Sequence, residues 1–190
     1  MLVEYEVPTR HAAKPMTFRD VYITHFEFVW RSLRRLGVHE ADIPDALQEV
    51  FLVVHKRLVE FEGRAKLTTW LFRICLNITR ARQKAGRRRK ELLDGEFVDL
   101  CEGHERDPAQ SAIDREGLHL LEHALTKMAL EQRAVFVLFE LEEMTCQEIA
   151  DTLDIPLGTV YSRLRLGRES FQKTMRRFGT SELLAQGDDR

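Results

Sequence analysis

The chain has 190 residues, of which 44% are hydrophobic and 32% are charged, and its formal net charge is −2. This length allows one large domain or two small ones, and the near-neutral total excludes an argument for nucleic-acid binding from overall charge. The N-terminus has no apolar signal segment and no apolar run is long enough to span a membrane, so we expect no membrane insertion. The 3 cysteines are widely spaced, which favours a reducing, cytoplasmic location.

Charge is distributed in blocks along the chain. Residues 64–90 contain ten basic residues and no acidic one. Residues 91–117 contain nine acidic residues against two arginines, whereas residues 163–177 contain six basic residues against Glu169 alone. A basic, acidic, basic order indicates two basic surfaces joined by an acidic linker.

The first part of the chain predicts three helices after a short N-terminal arm at residues 1–16. From Thr17 to Leu36, apolar residues recur every three or four positions, and Gly37 is a predicted C-terminal stop. Asp42 or Pro44 opens the second helix, with a predicted buried face formed by Leu47, Val50, Phe51, Val54 and Leu58. The third helix continues into the first basic block and is marked by Leu67, Trp70, Leu71, Ile74 and Ile78.

The second part of the chain predicts further helices and a helix-turn-helix. Apolar stripes return from Leu118, after the linker at residues 91–117. Thr145 and Glu148 have the spacing of a capping box, which predicts the start of a short helix. The sequence 154–156, DIP, ends that helix because the residue before proline is pushed out of the α region. Val160 and Leu164 then begin the helix that would enter a DNA major groove, with Tyr161, Ser162, Arg163 and Arg165 expected to face outward.

These patterns predict an all-α protein without a strand pattern of useful length. We expect two small helical domains, at about residues 17–90 and 118–178, joined by an acidic flexible linker at 91–117. Residues 179–190 are a predicted C-terminal tail.

Three motifs in order resemble one family. Residues 45–51, DALQEVF, resemble its D-x-x-Q-x-x-F signature, and residues 61–63 with 69–77 resemble its F-x-G…T-W-L-x-R-I-x-x-N block. Residues 147–150 with 155–164 resemble its E-I-A…G-T-V-x-S-R-L block. On these residues the chain is similar to the extracytoplasmic-function (ECF, group 4) sigma-70 factors of bacterial RNA polymerase. Departures are Met128-Ala129 where many members have Leu-Pro, Ala81 where an acid is common, and Asp154 where glycine is usual.

The resemblance implies a promoter-specificity subunit, not itself an enzyme, that directs core polymerase to −35 and −10 elements and melts DNA. Residues 17–90 would be the sigma-2-like domain, and its third helix would hold the −10 strand through Lys66, Trp70, Arg73, Asn77, Ile78, Thr79, Arg80 and Lys84. For Trp70 the alternative is a core residue packed with Leu67 and Ile74. The basic run at 87–90 is either part of this surface or a solvated segment.

Residues 118–178 would be the sigma-4-like domain that reads the −35 element. Its predicted contacts are Arg133, Thr159, Tyr161, Ser162, Arg163, Arg165 and Arg168. For Arg133 the alternative is a surface salt bridge with Glu131 or Glu140. Polymerase is predicted to bind this domain through its β flap and the first domain through its β′ clamp helices, the latter contacting Asp45, Gln48, Glu49 and Phe51. For Phe51 a core position is the alternative.

The sequence predicts no cofactor, no metal and no catalytic constellation. Cys101 and His104 have ligand-like spacing, but two ligands do not make a metal site. By resemblance we expect an anti-sigma factor as a further partner. The alternatives are a stand-alone dimeric helix-turn-helix regulator, for which the chain lacks a spare ligand or dimerisation domain, and a sigma mimic, which would lack the two basic blocks.

Overall fold

The computed structural model describes residues 16–63, 65–92 and 112–185, and all the regular secondary structure in these ranges is helical. The predicted all-α fold class is confirmed. The α-helices of the described ranges are α1 (Phe18–Leu36), α2 (Ile43–Arg57), α3 (Leu67–Leu92), α4 (Ala112–Thr126), α5 (Leu130–Glu140), α6 (Cys146–Leu153) and α7 (Leu157–Ala185). Among the helices of these ranges, none is long and apolar enough to cross a membrane.

Helix α1 begins and ends at the predicted residues. The Thr17 hydroxyl accepts the Asp20 N–H at 3.2 Å, and the Asp20 carboxylate accepts the Thr17 N–H at 3.2 Å, which forms a capping box. Gly37 ends the helix in the left-handed conformation with φ of 86°. Glycine adopts this φ without a steric penalty, so the helix stops here.

Helices α1, α2 and α3 pack against one another and form the N-terminal group. Helix α2 begins at Ile43, where Asp42 occupies the cap position without a side-chain cap and Pro44 lies in the first turn. The interior is made by the apolar faces that the sequence predicts, chiefly Val29, Leu33, Val50, Val54, Leu71 and Leu76. Each such side chain contributes about 1.5–3 kcal/mol on burial. These residues belong to one hydrophobic cluster that continues into the helices after α3.

Helices α4 to α7 form the C-terminal group, which contains the predicted helix-turn-helix. In the capping box of α6, the Thr145 hydroxyl accepts the Glu148 N–H at 3.3 Å. Asp154 ends α6 in the left-handed conformation, with φ of 54° and ψ of 53°. Helix α7 then begins directly after Pro156. The helix-turn-helix is confirmed at the residues that the sequence predicts.

Helix α5 is the central element of the C-terminal group. Every residue from Arg133 to Leu138 is buried, because α7 covers one side of α5 while α6 and α1 cover others. The rings of Phe136 and Phe171 stack at 5.3 Å where α5 crosses α7. At that crossing Gly167 allows close approach, since a Cβ there would lie 3.3 Å from the Cβ of Phe136.

The two groups are in contact, an arrangement that the sequence leaves open. Helix α1 contacts α4 and α5, and α3 contacts α6. The end of α1 therefore lies against the beginning of the C-terminal group, and this contact determines the surroundings of several predicted site residues.

Candidate nucleic-acid interface

The predicted −10 residues of α3 divide into an exposed face and a buried face. Lys66, directly before α3, is exposed, as are Arg73, Asn77 and Lys84 of α3, so three cations are accessible here. Ile78 is 9% exposed and Thr79 is 2% exposed, and the Thr79 hydroxyl donates to the Cys75 carbonyl oxygen at 2.9 Å. Both side chains therefore face the core in this structure, and their predicted contact with the −10 strand stays a prediction.

Trp70 packs and also borders an open cleft. It is half-buried, and its ring lies 5.3 Å from that of Phe61. The cleft has a volume of about 520 Å³ and separates the start of α3 from α6. Its lining includes three predicted −10 residues on the α3 side and two carboxylates on the α6 side, namely Lys66, Trp70, Arg73, Glu148 and Asp151. The tryptophan thus combines the packing role with a position beside the exposed cations.

The first turns of α7 present the residues predicted to read the −35 element. Tyr161 is 56% exposed, and Ser162 is exposed with its hydroxyl donating to the Thr159 carbonyl oxygen at 3.0 Å. Thr159 is half-buried. On the opposite side of the helix, Val160 and Leu164 are buried in the domain core. A helix held in this way can lay its polar face in a major groove, which is about 12 Å wide.

Each predicted −35 arginine of α7 has a carboxylate partner. Arg163 Nη1 lies 3.2 Å from Glu131 Oε2, without a well-aligned hydrogen bond. Arg165 pairs with Glu169 one turn further along the helix. Arg168 donates to Glu140 at 2.6 Å and lies 5.0 Å above the Phe139 ring.

Arg133 lies at the contact between the two groups, and the surface salt bridge predicted as its alternative role is not formed. It is 5% exposed, and its guanidinium donates to the carbonyl oxygens of Leu36 at 2.7 Å and Met128 at 3.0 Å. Burial lowers the pKa of Arg133 to about 10. It forms no ion pair with Glu131 or Glu140 within the described residues, and DNA cannot reach it while the groups are in contact.

Glu131 is a residue that the sequence analysis did not assign to the site. Its carboxylate accepts hydrogen bonds from Arg80 Nε at 2.7 Å and Nη2 at 2.6 Å, and the Arg163 contact is on the same oxygen as the second. The hydrogen bonds from Arg80 hold the pKa of Glu131 below its usual value, and the charge of Arg163 acts in the same direction. No sequence motif signals this role, since the three residues are distant along the chain.

The residues predicted to bind polymerase lie on α2. Asp45, Gln48 and Glu49 are exposed, and Glu49 accepts a hydrogen bond from Arg82 at 2.7 Å. Phe51 is only 5% exposed, so it belongs to the core. Its ring nevertheless contacts the Tyr22 ring and lines a groove between α1 and α2, called the aromatic groove below. The groove is also lined by Phe18, Tyr22, Phe26, Leu47, Leu52 and His55.

This aromatic groove is an exposed apolar surface. It has a volume of about 570 Å³, and Tyr22 and Leu52 remain 41% and 52% exposed. The sequence places Tyr22 and Phe26 in one helical stripe but does not show that the stripe is incompletely covered. Contiguous exposed apolar surface with a polar rim is typical of a protein-binding site.

Comparison with known families matches both groups of helices. A model described as "Sigma-70 region 2" matches residues 21–89, and one described as "Sigma-70, region 4" matches residues 118–171. The chain is 31% identical over 173 residues to the ECF RNA polymerase sigma factor SigW of Bacillus subtilis (strain 168), covering 84% of this chain and 89% of that protein. The chain belongs to the ECF sigma factors of RNA polymerase. It is therefore a transcription initiation factor that directs core polymerase to promoters.

Other sigma factors are similar in sequence or in fold. The ECF RNA polymerase sigma-E factor of Escherichia coli (strain K12) is 29% identical over 159 residues, covering 80% of this chain and 83% of that protein. The structure of sigma factor RpoE in complex with the anti-sigma factor NepR from Bartonella quintana has a TM-score of 0.69 at 19% identity, covering 84% of this chain and 96% of that one. That of CnrH with the cytosolic domain of CnrY has a TM-score of 0.59 at 22% identity, covering 84% and 88%.

The remaining sequence-based candidates concern metal binding. Cys101 and His104 lie outside the described residues. Within the part of the chain that the structure describes, no three His, Cys, Asp or Glu side chains are grouped so that they could hold a metal ion. Cys75 and Cys146 are free thiols, and burial raises the pKa of Cys75 strongly.

Proposed function

We propose that this sigma factor reads the −35 element with the first turns of α7 and the −10 strand with the exposed face of α3. The observation that carries the proposal is the polar face of α7, where Tyr161, Ser162 and Arg165 are exposed beside a buried apolar stripe. In this proposal the chain supplies no catalytic group and acts in the cytoplasm, where the polymerase performs all the chemistry.

Sequence reading at −35 would depend on the arginines. The planar fork of arginine suits the O6 and N7 acceptors of guanine in the major groove. Arg165 is 65% exposed in its side chain, and its ion-pair partner among the described residues is Glu169 on the same helix, so it can exchange this partner for DNA without domain movement. Arg168 is held by Glu140 and Phe139, which favours a fixed position near the backbone phosphates. Tyr161, Ser162 and the N-terminal turn would fix the register on the duplex.

Opening the −10 region requires protein contacts that offset the free energy lost when bases unstack. The exposed cations Lys66, Arg73 and Lys84 can neutralise phosphates, and the ring of Trp70 can stack on a base for about 1–3 kcal/mol. Asn77 is exposed one turn from Arg73 and can hydrogen-bond a base edge. Ile78 and Thr79 would support this face from the core rather than contact DNA.

The α1–α2 surface would bind the β′ clamp helices of polymerase. Gln48 lines the aromatic groove together with Tyr22 and Leu52, and Asp45 and Glu49 are exposed on the same helix. The C-terminal group would contact the β flap. An anti-sigma factor is a further proposed partner, because both similar solved structures are described as complexes with a second protein, one of them named as an anti-sigma factor.

The proposed domain limits are those that the sequence predicts, and the matched regions support them. The first domain extends over residues 17–90 and the second over 118–178, with an arm at 1–16, a linker at 91–117 and a tail at 179–190; the matched regions 21–89 and 118–171 lie within the two domains. Helices α3 and α4 extend into the proposed linker, to Leu92 and from Ala112, and α7 extends into the proposed tail, to Ala185.

The test is transcription with purified core polymerase on fragments of the native genome, with and without this chain. We expect new transcripts from sites that share −35 and −10 elements. Asp45→Lys should abolish co-elution with core polymerase, whereas Glu27→Lys, an equivalent charge reversal at an exposed α1 residue that is not predicted to bind polymerase, should not. Absence of chain-dependent transcripts together with absence of co-elution would contradict the proposal and favour a stand-alone regulator or a sigma mimic.

A further inference from the structure

The aromatic groove between α1 and α2 leaves apolar rings partly exposed. We propose that, in the chain without polymerase, this groove binds residues 2–7 of the chain's own N-terminal segment. The inference rests on the function proposed above in one respect, because it makes the groove a site for which this segment and core polymerase compete. It is carried by the shape of the groove, by the point at which the chain enters it, and by the sequence that precedes α1.

The floor of the groove is a continuous row of rings. The ring centroids of Phe18 and Tyr22 are 6.1 Å apart, and those of Tyr22 and Phe51 are 4.6 Å apart. The Phe26 ring lies parallel to that of Phe51 at 6.3 Å. From Phe18 to Phe26 the row is about 12 Å long, at about 1.5 Å per helical residue. An apolar segment of similar length can lie along it and remove these rings from water.

The chain enters the groove at one of its ends. Phe18 is both the first residue of α1 and part of the groove lining. Thr17 has an extended backbone, with φ of −87° and ψ of 154°, so the helix does not continue before Phe18. Residues 1–15 lie outside the described residues, and they are therefore attached beside the groove. A segment tethered this closely has an effective concentration in the millimolar range, so a contact that is weak between separate molecules can be occupied within one chain.

The sequence of residues 2–7, LVEYEV, fits the floor of the groove. Its residues Val3, Tyr5 and Val7 alternate with two glutamates. In an extended segment this period of two places the apolar side chains on one face and the carboxylates on the other. Such a segment is about 13 Å long from Val3 to Val7, at about 3.3 Å per residue, which matches the row of rings. The Tyr5 ring can then pack against the aromatic floor.

The residues between this segment and α1 are long enough to bring it back to the groove. Residues 8–16 can span up to about 30 Å when extended, which is more than twice the length of the row of rings. Pro8 and Pro15 disfavour the helical conformation at the residue that precedes each of them. A helix that would carry residues 2–7 away from the groove along the axis of α1 is therefore unfavourable.

Charge is complementary at the end of the groove where the chain enters. Arg19 follows Phe18 directly, and Lys56 follows His55, whose ring lies 5.0 Å from that of Phe18. Both cations are exposed. The glutamates at positions 4 and 6 carry the opposite charge, so they attract the bound segment to this end of the groove.

The experiment is photo-crosslinking of the full chain without polymerase. A photoreactive amino acid replaces Leu52, which lines the groove and is 52% exposed. In the control it replaces Thr24, which is exposed and lies about 200° around α1 from Tyr22. Trypsin cleaves after Arg10 and releases residues 1–10 as one peptide, which contains the whole proposed segment. An equal mixture of isotope-labelled and unlabelled chains distinguishes crosslinks within one chain from crosslinks between two.

We expect a crosslink from position 52 to the peptide of residues 1–10 within one chain, and none from position 24. Tyr5→Asp should reduce this crosslink about tenfold, because it places a charge on the apolar face of the segment. The matched control is Thr9→Asp, which adds the same charge outside that face and should leave the crosslink unchanged. Both residues precede α1, so the variants alter no residue of the described helices.

Three results would overturn the proposal. The first is the absence of a crosslink from position 52 to residues 1–10. The second is an equal loss of the crosslink in Tyr5→Asp and Thr9→Asp, which would assign the effect to charge rather than to apolar contact. The third is a crosslink found only between two chains, which would assign the groove to a second copy of the chain.

Addition of core polymerase separates this result from a failure of the proposed function. Polymerase that binds the groove should remove the crosslink, and at a covered-to-open ratio of about ten Tyr5→Asp should bind polymerase about tenfold more tightly. A crosslink that forms in the free chain and persists in the polymerase complex would support the binding of residues 2–7 and contradict the polymerase site proposed at the groove. If polymerase binds the chain while no crosslink forms without it, the proposed function stands and the binding of residues 2–7 is wrong.

Discussion

Asp154 ends the first helix of the helix-turn-helix in a conformation that disfavours side chains, and we expect Asp154→Gly to stabilise the protein. Its φ is 54° and its ψ is 53°, and its N–H donates to the Ala150 carbonyl oxygen. The side chain is exposed, and no hydrogen bond within the described residues is found for its carboxylate. Glycine can adopt this conformation freely, so the cap should be retained.

Three terms determine the size of the effect. Left-handed backbone costs an ordinary residue about 1–2 kcal/mol, less for aspartate, and glycine loses about 0.5–1 kcal/mol through the entropy of the unfolded chain. Removing a carboxylate from the C-terminal end of a helix contributes about 0.3–1 kcal/mol, because the helix dipole is negative there. The sum is a gain of about 1 kcal/mol, equivalent to about 2–4 °C in Tm for a chain of this size.

The assay is thermal and urea unfolding of the full chain, with Asp154→Asn as the matched control. Asparagine removes the charge but keeps the side chain, so its stability should fall between those of the wild type and Asp154→Gly. Equal stability of the two variants would assign the whole effect to charge, and a destabilised Asp154→Gly would contradict the strain argument. Because the chain has two helical groups, both should be monitored by separate probes.

Three further changes have defined outcomes. Gly37→Ala should lower the free energy of unfolding by about 1–2 kcal/mol through left-handed strain, as measured by denaturant unfolding. The new Cβ should also displace the Arg133 guanidinium and lengthen the distance between the two helical groups. An unchanged distance would show that Arg133 does not need the space beside Gly37. Ionised Glu131 contributes its full stabilisation above the ordinary glutamate pKa of about 4.3, and this contribution should be lost as the pH falls through the lowered pKa of Glu131. Acid should therefore increase the distance between the two helical groups more in the wild type than in Glu131→Gln. Arg165→Ala should weaken −35 binding by about 1–3 kcal/mol and relax specificity at one position, whereas a uniform loss across sequences would indicate a phosphate contact instead.

Local sequence determined the elements of this protein because their signals are short in range. A capping box involves residues three apart, and Thr17 with Asp20 and Thr145 with Glu148 both form one. Apolar residues at helical spacing predicted the stripes that became the cores, and the turn at Asp154 follows from the proline two residues later. The exposed face of α3 and the polar face of α7 follow from the same periodicity.

Tertiary structure alone decided which predicted residues are accessible and which residues bind one another. Ile78 and Thr79 are on the inward side of α3 because two other helices cover that side. Arg133, predicted on the surface, is buried against Leu36, which lies 97 positions earlier in the chain. Glu131 meets Arg80 across 51 positions. Helical periodicity determines where a side chain lies around the axis of its helix, but only the packing of one group against the other determines which residues that side chain contacts.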